Sequence, residues 1–420
     1  MIAQGRRHAT SYALSLKDSS LSVALNGNHI VVCDRAGRLY SVYRAGRHHR
    51  RSLNGSILQK WTTDERQRRW LDQAEVDRLI DDTAEQVREV HAALCAPDWE
   101  WVTPPDRSSA LDDLLQVIER AAQFDSVSAR LDAARFAEVY APIGILPPDQ
   151  YLALVLQATE GCSFNTCTFC DLYHQPYRVK TPDEFRRHIC AVRDYLGASL
   201  LLRQRSIFLG AANALAVPMA RLLPFLDIIQ QELQPSPPAP LPDPARSAEP
   251  SGEWGWGEGV YAFLDAFTGA RKSEKDYREL AERGLRRVYI GLESGHDPLL
   301  EFVRKPGHTR DAIETVRTIK AAGINVGVIV LIGLGGERFA ASHASDTIAV
   351  LNQMPLDGGD LLYFSDLVEE PGTPYPILAA QHGIHALARS ERTAQRDMIR
   401  SGLSASGVKI SSYDVREFVY

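Results

Sequence analysis

The chain has 420 residues, 45% of them hydrophobic and 24% charged, with 47 Lys+Arg, 53 Asp+Glu and six cysteines. Such usage belongs to a globular protein long enough for two or more packed units, and it excludes a disordered chain, a collagen-like repeat and a small disulfide scaffold. No run approaches the ~20 apolar residues of a membrane helix, and Met1 to Arg7 lacks the apolar core of a signal peptide, so no membrane partner and a cytoplasmic location are expected.

Charge is uneven along the chain. Residues 1–70 hold 13 Lys+Arg against 4 Asp+Glu, a balance of +9, which leaves 34 against 49, a balance of −15, for the remainder. A basic segment of this kind either docks against the acidic body of the same protein or faces an anion, and no nucleic-acid motif accompanies it.

From 21 to 61 short apolar stretches alternate with turn signals at Asn26-Gly27, Ala36-Gly37, Ala45-Gly46 and Asn54-Gly55. This spacing predicts a small antiparallel meander in a β-rich segment over 1–70. Residues 74–95 and 108–138 carry helical periodicity, with Val76, Ile80, Ala84 and Val87 on one face, and predict a helical connector over 71–147.

From Tyr151 strand-like runs alternate with amphipathic helices: 151–158, 205–209, 259–264, 287–292, 325–332 and 360–365, with helices such as 182–196 and 310–322 between them. The alternation predicts an α/β core over 148–376, its parallel strands joined by right-handed crossovers in a doubly wound sheet or part of a barrel. Reactive residues then belong at the carboxyl ends of strands. Seven prolines in 235–250 deny that stretch a helix or a paired strand, so 233–257, with Trp254 and Trp256, reads as an extended insertion open to a partner. Residues 377–420 are expected to form a helical extension packed on the core.

The first core strand is followed by Gly161-Cys162-Ser163-Phe164-Asn165-Thr166-Cys167-Thr168-Phe169-Cys170. Three thiolates at this spacing can hold three corners of an iron–sulfur cube and leave one iron open to a small molecule. With His174 they can equally close a tetrahedral Cys3His zinc site, which would make the chain a binding module.

This loop resembles that of the radical S-adenosylmethionine (radical SAM) superfamily, with three cysteines after the first barrel strand and an aromatic, here Phe169, before the last. The pattern GCxxNxCxFC, containing Asn165, is similar to a wider-loop subgroup. The segment 288–309, VYIGLESGHDPLLEFVRKPGHT, and PGTPY at 371–375 also resemble family segments.

The resemblance implies a partial (β/α)6 barrel of the TIM type, a [4Fe–4S] cluster on Cys162, Cys167 and Cys170, and bound S-adenosylmethionine. It further implies reductive cleavage to a 5'-deoxyadenosyl radical that takes hydrogen from a substrate, with an external reductant such as flavodoxin or ferredoxin. Cofactor contacts carry over to Phe169, to Gly210 and Asn213 of the glycine-rich turn, to Glu293 and Ser294, and to Ile332. The acidic residue usual in that turn is missing, and Asn213 is expected to serve as acceptor in its place.

Arg304 and Lys305 can reach a carboxylate. Cobalamin is not expected, since no Asp-x-His-x-x-Gly occurs before the core. The basic N-terminal segment points toward an anionic substrate or nucleic acid, while the acidic remainder leaves a small metabolite or a peptide equally open.

Overall fold

The computed structural model describes residues 1–63, 66–173, 175–203, 205–233, 258–370, 372–404 and 407–420. The proline-rich insertion beyond Leu233, His174 and Pro371 lie outside the described residues. The chain divides into two units, 1–141 with 190–204 and 419–420, and 142–189 with 205–418.

The first unit holds more strands than the turn spacing predicts. Strands β1 (Ile2–Arg7), β2 (Thr10–Leu16), β3 (Ser20–Leu25), β4 (His29–Asp34), β5 (Leu39–Arg44), β6 (Arg47–Arg51), β7 (Ile57–Thr62) and β8 (Arg66–Trp70) follow one another as antiparallel neighbours. After α1 (Gln73–Leu94), strand β9 (Glu100–Thr103) pairs with β1 and completes a nine-stranded sheet. Asn26 and Gly27 turn the β3–β4 hairpin with φ of 50° and 70°, the left-handed pair that a tight hairpin needs.

Helices α2 (Ser108–Ala122) and α3 (Ser126–Val139) follow. Alternation along the strands puts Leu14, Val23, Val31 and Val42 on one face, where they pack with Val76, Leu79 and Ile80 of α1 and with Leu114, Val117 and Ile118 of α2. Residues 71–141 hold 6 Lys+Arg against 16 Asp+Glu. Part of the basic charge of 1–70 is met here: Asp132 of α3 takes both Arg38 at 2.9 Å and Arg51 at 2.8 Å, and Arg69 pairs with Glu75 at 2.7 Å.

The second unit begins with β10 (Leu154–Gln157), then a small antiparallel pair, β11 (Thr159–Glu160) and β12 (Arg178–Val179). There follow α4 (Pro182–Leu196), whose residues from Cys190 group with the first unit, β13 (Ile207–Gly210), α5 (Met219–Leu233), β14 (Val260–Leu264), α6 (Ala266–Gly269) and α7 (Glu274–Glu282). Next come β15 (Leu285–Glu293), α8 (Asp297–Phe302), α9 (Thr309–Ala321), β16 (Asn325–Ile332), α10 (Gly336–Leu351) and β17 (Leu361–Asp366). The last elements are α11 (Tyr375–Gln381), α12 (Arg389–Ser401) and β18 (Lys409–Tyr413).

Strands β10, β13, β14, β15, β16, β17 and β18 form one sheet in that order, with every neighbouring pair parallel. A doubly wound sheet reverses its order at a switch point, and this one does not, which decides between the two topologies open in the sequence. Right-handed crossovers in an unreversed order bring all the strands' carboxyl ends to one edge. The apolar run Val326 to Ile332 is buried throughout, as a central parallel strand covered on both faces should be.

The expectation of an all-helical segment 377–420 is corrected by β18. Its five residues, KISSY, are mostly polar and largely solvent-facing, so no hydrophobic alternation marks them, and pairing with β17 supplies the strand conformation. Among the described residues no helix is long and apolar enough to cross a membrane.

Candidate functional site

A cavity of about 270 Å³ opens at the carboxyl edge of the parallel sheet, and Cys162, Cys167 and Cys170 all line it. The cysteine loop is fixed to its surroundings by its own backbone. Thr168 donates its N–H to the Val303 carbonyl at 3.0 Å, and its carbonyl accepts the Tyr375 N–H at 2.9 Å. Thr166 Oγ1 donates to the Arg304 carbonyl at 3.2 Å. Gly161 enters the loop with φ of 68°, and a Cβ there would stand 2.3 Å from the Gln175 carbonyl oxygen, so only glycine fits. Asn165, in the wide first gap, takes φ of 51°, a left-handed conformation that Asn tolerates.

Strand parity decides which sequence-predicted residues reach the cavity. Tyr289, Gly291 and Glu293 of β15 face it, as do Ile329 and Leu331 of β16. Ser294 and Ile332, each one residue out of step, do not line it, and both are fully buried. Ser294 instead hydrogen-bonds His343 Nδ1 at 2.7 Å, and His343 Nε2 donates to the Leu331 carbonyl at 3.1 Å. Gly210 is also off the wall; its carbonyl accepts from Thr159 Oγ1 at 3.3 Å, while Ala212 and Asn213 of the same turn line the cavity. Phe169 and Glu293 line the cavity.

Asn213 does not act as expected. Its Oδ1 accepts the Asp265 N–H at 3.0 Å, and its amide donates to Ser163 Oγ at 2.8 Å and to the Asp265 carboxylate. The side chain is committed to bracing Asp265, and Asp265, missed in the sequence, brings the carboxylate to this part of the wall. The signal was present: Asp265 ends the third core strand, and it caps α6 by accepting the Thr268 N–H at 2.8 Å. Tyr413 and Val415, from the segment read as inert packing, line the cavity as well.

Glu293 faces Lys305 at 3.6 Å, both side chains only 15% exposed. A Cβ on Gly291 would stand 2.3 Å from Glu293 Oε1, so glycine is what makes room for the carboxylate. Burial holds the Glu293 carboxyl above the usual range, and Lys305 partly offsets it. Burial opposes the charge on Lys305, yet Glu293 and the Cys167 and Cys170 thiols keep its pKa above the ordinary lysine value. Arg304, its neighbour, is not on the wall.

The cysteines suit a cluster. Burial pushes the Cys170 thiol up to about 11 and raises Cys167, so both favour the protonated state until a metal displaces the proton. Among the described residues no group of three or more His, Cys, Asp or Glu converges tightly enough to hold a single metal ion. A cube does not need that convergence, because each thiolate binds a different iron. His174, the fourth ligand of the zinc alternative, lies outside the described residues.

Residues 262–341, running from β14 into α10 and supplying Phe263, Glu293 and Leu331 to the cavity, match the model of the Radical SAM superfamily. The match covers about a fifth of the chain and makes this segment similar to that superfamily. No curated protein matches the chain.

Solved structures similar to it include the cobalamin-dependent S-adenosylmethionine radical enzyme OxsB, 14% identical, with a TM-score of 0.37, over 60% of this chain and 32% of that one. HydG, a maturase of the [FeFe]-hydrogenase, is 15% identical, with a TM-score of 0.38, over 78% of this chain and 62% of that one. Coproporphyrinogen III oxidase (HemN) from Escherichia coli, a radical SAM enzyme, is 13% identical, with a TM-score of 0.39, over 64% and 54%. The chain thus spans about a third of the length of OxsB. The topology is read from the strands themselves.

Proposed function

We propose that the chain is a radical SAM enzyme in which Cys162, Cys167 and Cys170 hold a [4Fe–4S] cluster and the adjoining cavity receives S-adenosylmethionine and the substrate. One observation carries this reading: the three cysteines of one loop and the Glu293–Lys305 pair open onto a single cavity at the carboxyl edge of a parallel sheet. The unreversed strand order supports a partial (β/α)6 barrel extended by β18. The left-handed Asn165 within the four-residue gap supports the wider-loop subgroup.

Bound there, cluster and S-adenosylmethionine supply the electron and the 5'-deoxyadenosyl radical. The chain's own residues hold, orient and shield. Lys305 offers a fixed cation to a carboxylate, and Glu293 and Asp265 offer acceptors to ammonium or hydroxyl groups. Leu146, Phe263, Ile329 and Leu331 exclude water, which would quench a carbon radical's chosen course. An external reductant such as flavodoxin or ferredoxin supplies the electron. A reducing, cytoplasmic setting is where a crowded thiol loop serves metal binding in preference to disulfides.

The lining revises the expectation of an anionic substrate. Among the described residues Lys305 is the one cation on the wall, and it already faces Glu293; Asp366 is met by Arg392 and Arg396 behind the wall, which leaves Asp171, Asp265 and Glu370 as further acids lining it. This balance supports a neutral or cationic group on the part of the substrate that enters.

The test is low-temperature electron paramagnetic resonance of anaerobically reconstituted, reduced protein, with and without S-adenosylmethionine, alongside chromatography for 5'-deoxyadenosine. A cluster spectrum altered by the cofactor, with deoxyadenosine formed, is expected, and both should vanish in Cys162→Ala, Cys167→Ala and Cys170→Ala. Tightly bound zinc lost on His174→Ala, with neither signal, would overturn the reading.

A further inference from the structure

Arg304 and Lys305 are neighbours in the chain with opposite placements. Lys305 faces Glu293 on the cavity wall, whereas Arg304 is exposed and off that wall. The end of α8 sets the difference. The Arg304 N–H bonds the Glu301 carbonyl at 3.0 Å and the Lys305 N–H bonds the Leu300 carbonyl at 2.9 Å, a paired closure that needs residue 304 in the left-handed region, where its φ is 56°. Glycine is favoured at such a position, because a Cβ strains the left-handed backbone. An arginine stands there instead, and among the described residues its guanidinium makes no hydrogen bond, ion pair or ring contact. Nothing in the fold offsets the strain, and local rules are broken in this way where a side chain serves a site in preference to packing.

The cysteine loop lies directly beside Arg304. Thr166 Oγ1 donates to the Arg304 carbonyl at 3.2 Å, and Asn165 and Thr166 are exposed, so the loop reaches solvent here. On its other flank Phe164 of the same loop meets Phe267 edge to face at 5.8 Å. Arg271 lies over the Phe267 ring at 4.5 Å, exposed and without an ion pair among the described residues. The loop therefore surfaces flanked by two guanidinium groups that no acid of the described residues matches. One exposed acid, Glu301, stands a turn back along α8.

Electron transfer falls steeply with distance, so a carrier that feeds a cluster on this loop has to sit where the loop surfaces. We propose that Arg271 and Arg304 form the docking surface for the external electron carrier, a protein that presents carboxylates to them. The proposal rests on the cluster reading given above. One electron leaves the reduced carrier and enters the cluster, no atom is exchanged, and the two arginines act only by drawing the proteins together.

The experiment uses the anaerobically reconstituted full chain and flavodoxin, an acidic one-electron carrier, with dithionite as a small reductant that needs no docking. Binding of oxidised flavodoxin is read by calorimetry, and reduction of the cluster by each reductant is followed by visible absorbance. Affinity for flavodoxin should fall between low and physiological salt. Arg304→Gly and Arg271→Gln should each weaken binding and slow reduction by flavodoxin about threefold, and Arg304→Glu, which sets like charges together, about tenfold. Glu301→Gln should strengthen binding about twofold. Reduction by dithionite should be the same in all four variants, and the urea midpoint of Arg304→Gly should equal or exceed the parent's, since glycine relieves the backbone.

Three results would overturn the proposal: no binding of flavodoxin at low salt, binding that ignores both salt and the arginine variants, or reduction by dithionite slowed as much as reduction by flavodoxin. A lower urea midpoint in Arg304→Gly would make Arg304 a fold residue and equally reject it. A parent chain with no cluster for dithionite to reduce is a separate failure, which sinks the cluster reading and the proposal with it.

Discussion

Asp132 in the first unit and Glu293 in the second are both secluded carboxylates facing cations, yet they are held differently. Asp132 takes two arginines, Arg38 at 2.9 Å and Arg51 at 2.8 Å, with Arg51 only 1% exposed. Glu293 has one lysine at 3.6 Å, longer than a hydrogen bond, and its other side opens on the cavity. A charge that serves the fold is saturated by protein partners. A charge on the wall of the proposed site keeps bonding capacity that the fold does not use.

The contrast can be broken most directly at Asp132. Asp132→Ala leaves two buried guanidinium groups without their acid and should cost about 3–5 kcal/mol, read as a lower urea midpoint by the fluorescence of Trp99 and Trp101. A loss under about 1 kcal/mol would mean that the triad does not hold the unit together.

Next in size is a pH effect in the second unit. Burial pushes His343 down to about 4, and it sits neutral between Ser294 and the Leu331 carbonyl. The unfolded chain's histidine, near 6.5, takes up a proton first as pH falls, so stability present above about 6.5 drains away toward pH 4, by up to about 3 kcal/mol. His49 of the first unit is pushed down to about 4 as well, so each unit should show its own slope. Urea titrations at pH 7 and 5 should give a smaller pH difference for His343→Gln than for the parent; an unchanged difference would remove His343 from the account.

Glu293→Gln sharpens the comparison from the other side. Since Lys305 can reach water through the cavity, stability should fall by less than about 2 kcal/mol, while deoxyadenosine formation drops at least about tenfold and bound iron is retained. A stability loss as large as that of Asp132→Ala would make Glu293 a fold residue after all.

Smallest is the cap of α1, where Asp72 Oδ1 accepts the Glu75 N–H at 2.8 Å and Glu75 returns a bond to the Asp72 N–H at 3.0 Å. Asp72→Ala should cost about 1 kcal/mol in the same urea assay, and no change would mean that the cap contributes nothing measurable.

Much of this was legible because period and punctuation are local. The Asn26-Gly27 and Ala45-Gly46 turns and the apolar run at 325–332 announce hairpins and a covered strand without reference to anything distant, and the three crowded cysteines mark the loop that opens on the cavity. What escaped the sequence depends on partners far along the chain. Strand β18 exists because β17 offers an edge, and Asp265 reaches the site because Asn213, 52 residues earlier, braces it. Ser294 and Ile332 were misplaced by a single residue each, since a strand's parity relative to a cavity is set only when the sheet is assembled.

Tyr375 of the PGTPY segment gives that sequence an architectural meaning. Its backbone N–H bonds the Thr168 carbonyl in the cysteine loop, and its hydroxyl accepts the Gly335 N–H at 2.9 Å in the turn after β16. One residue therefore stitches the loop to the glycine turn, two pieces of chain more than 160 positions apart. Phenylalanine would fill the same space and leave the buried Gly335 amide with no acceptor, so one hydroxyl oxygen is what ties the two pieces together.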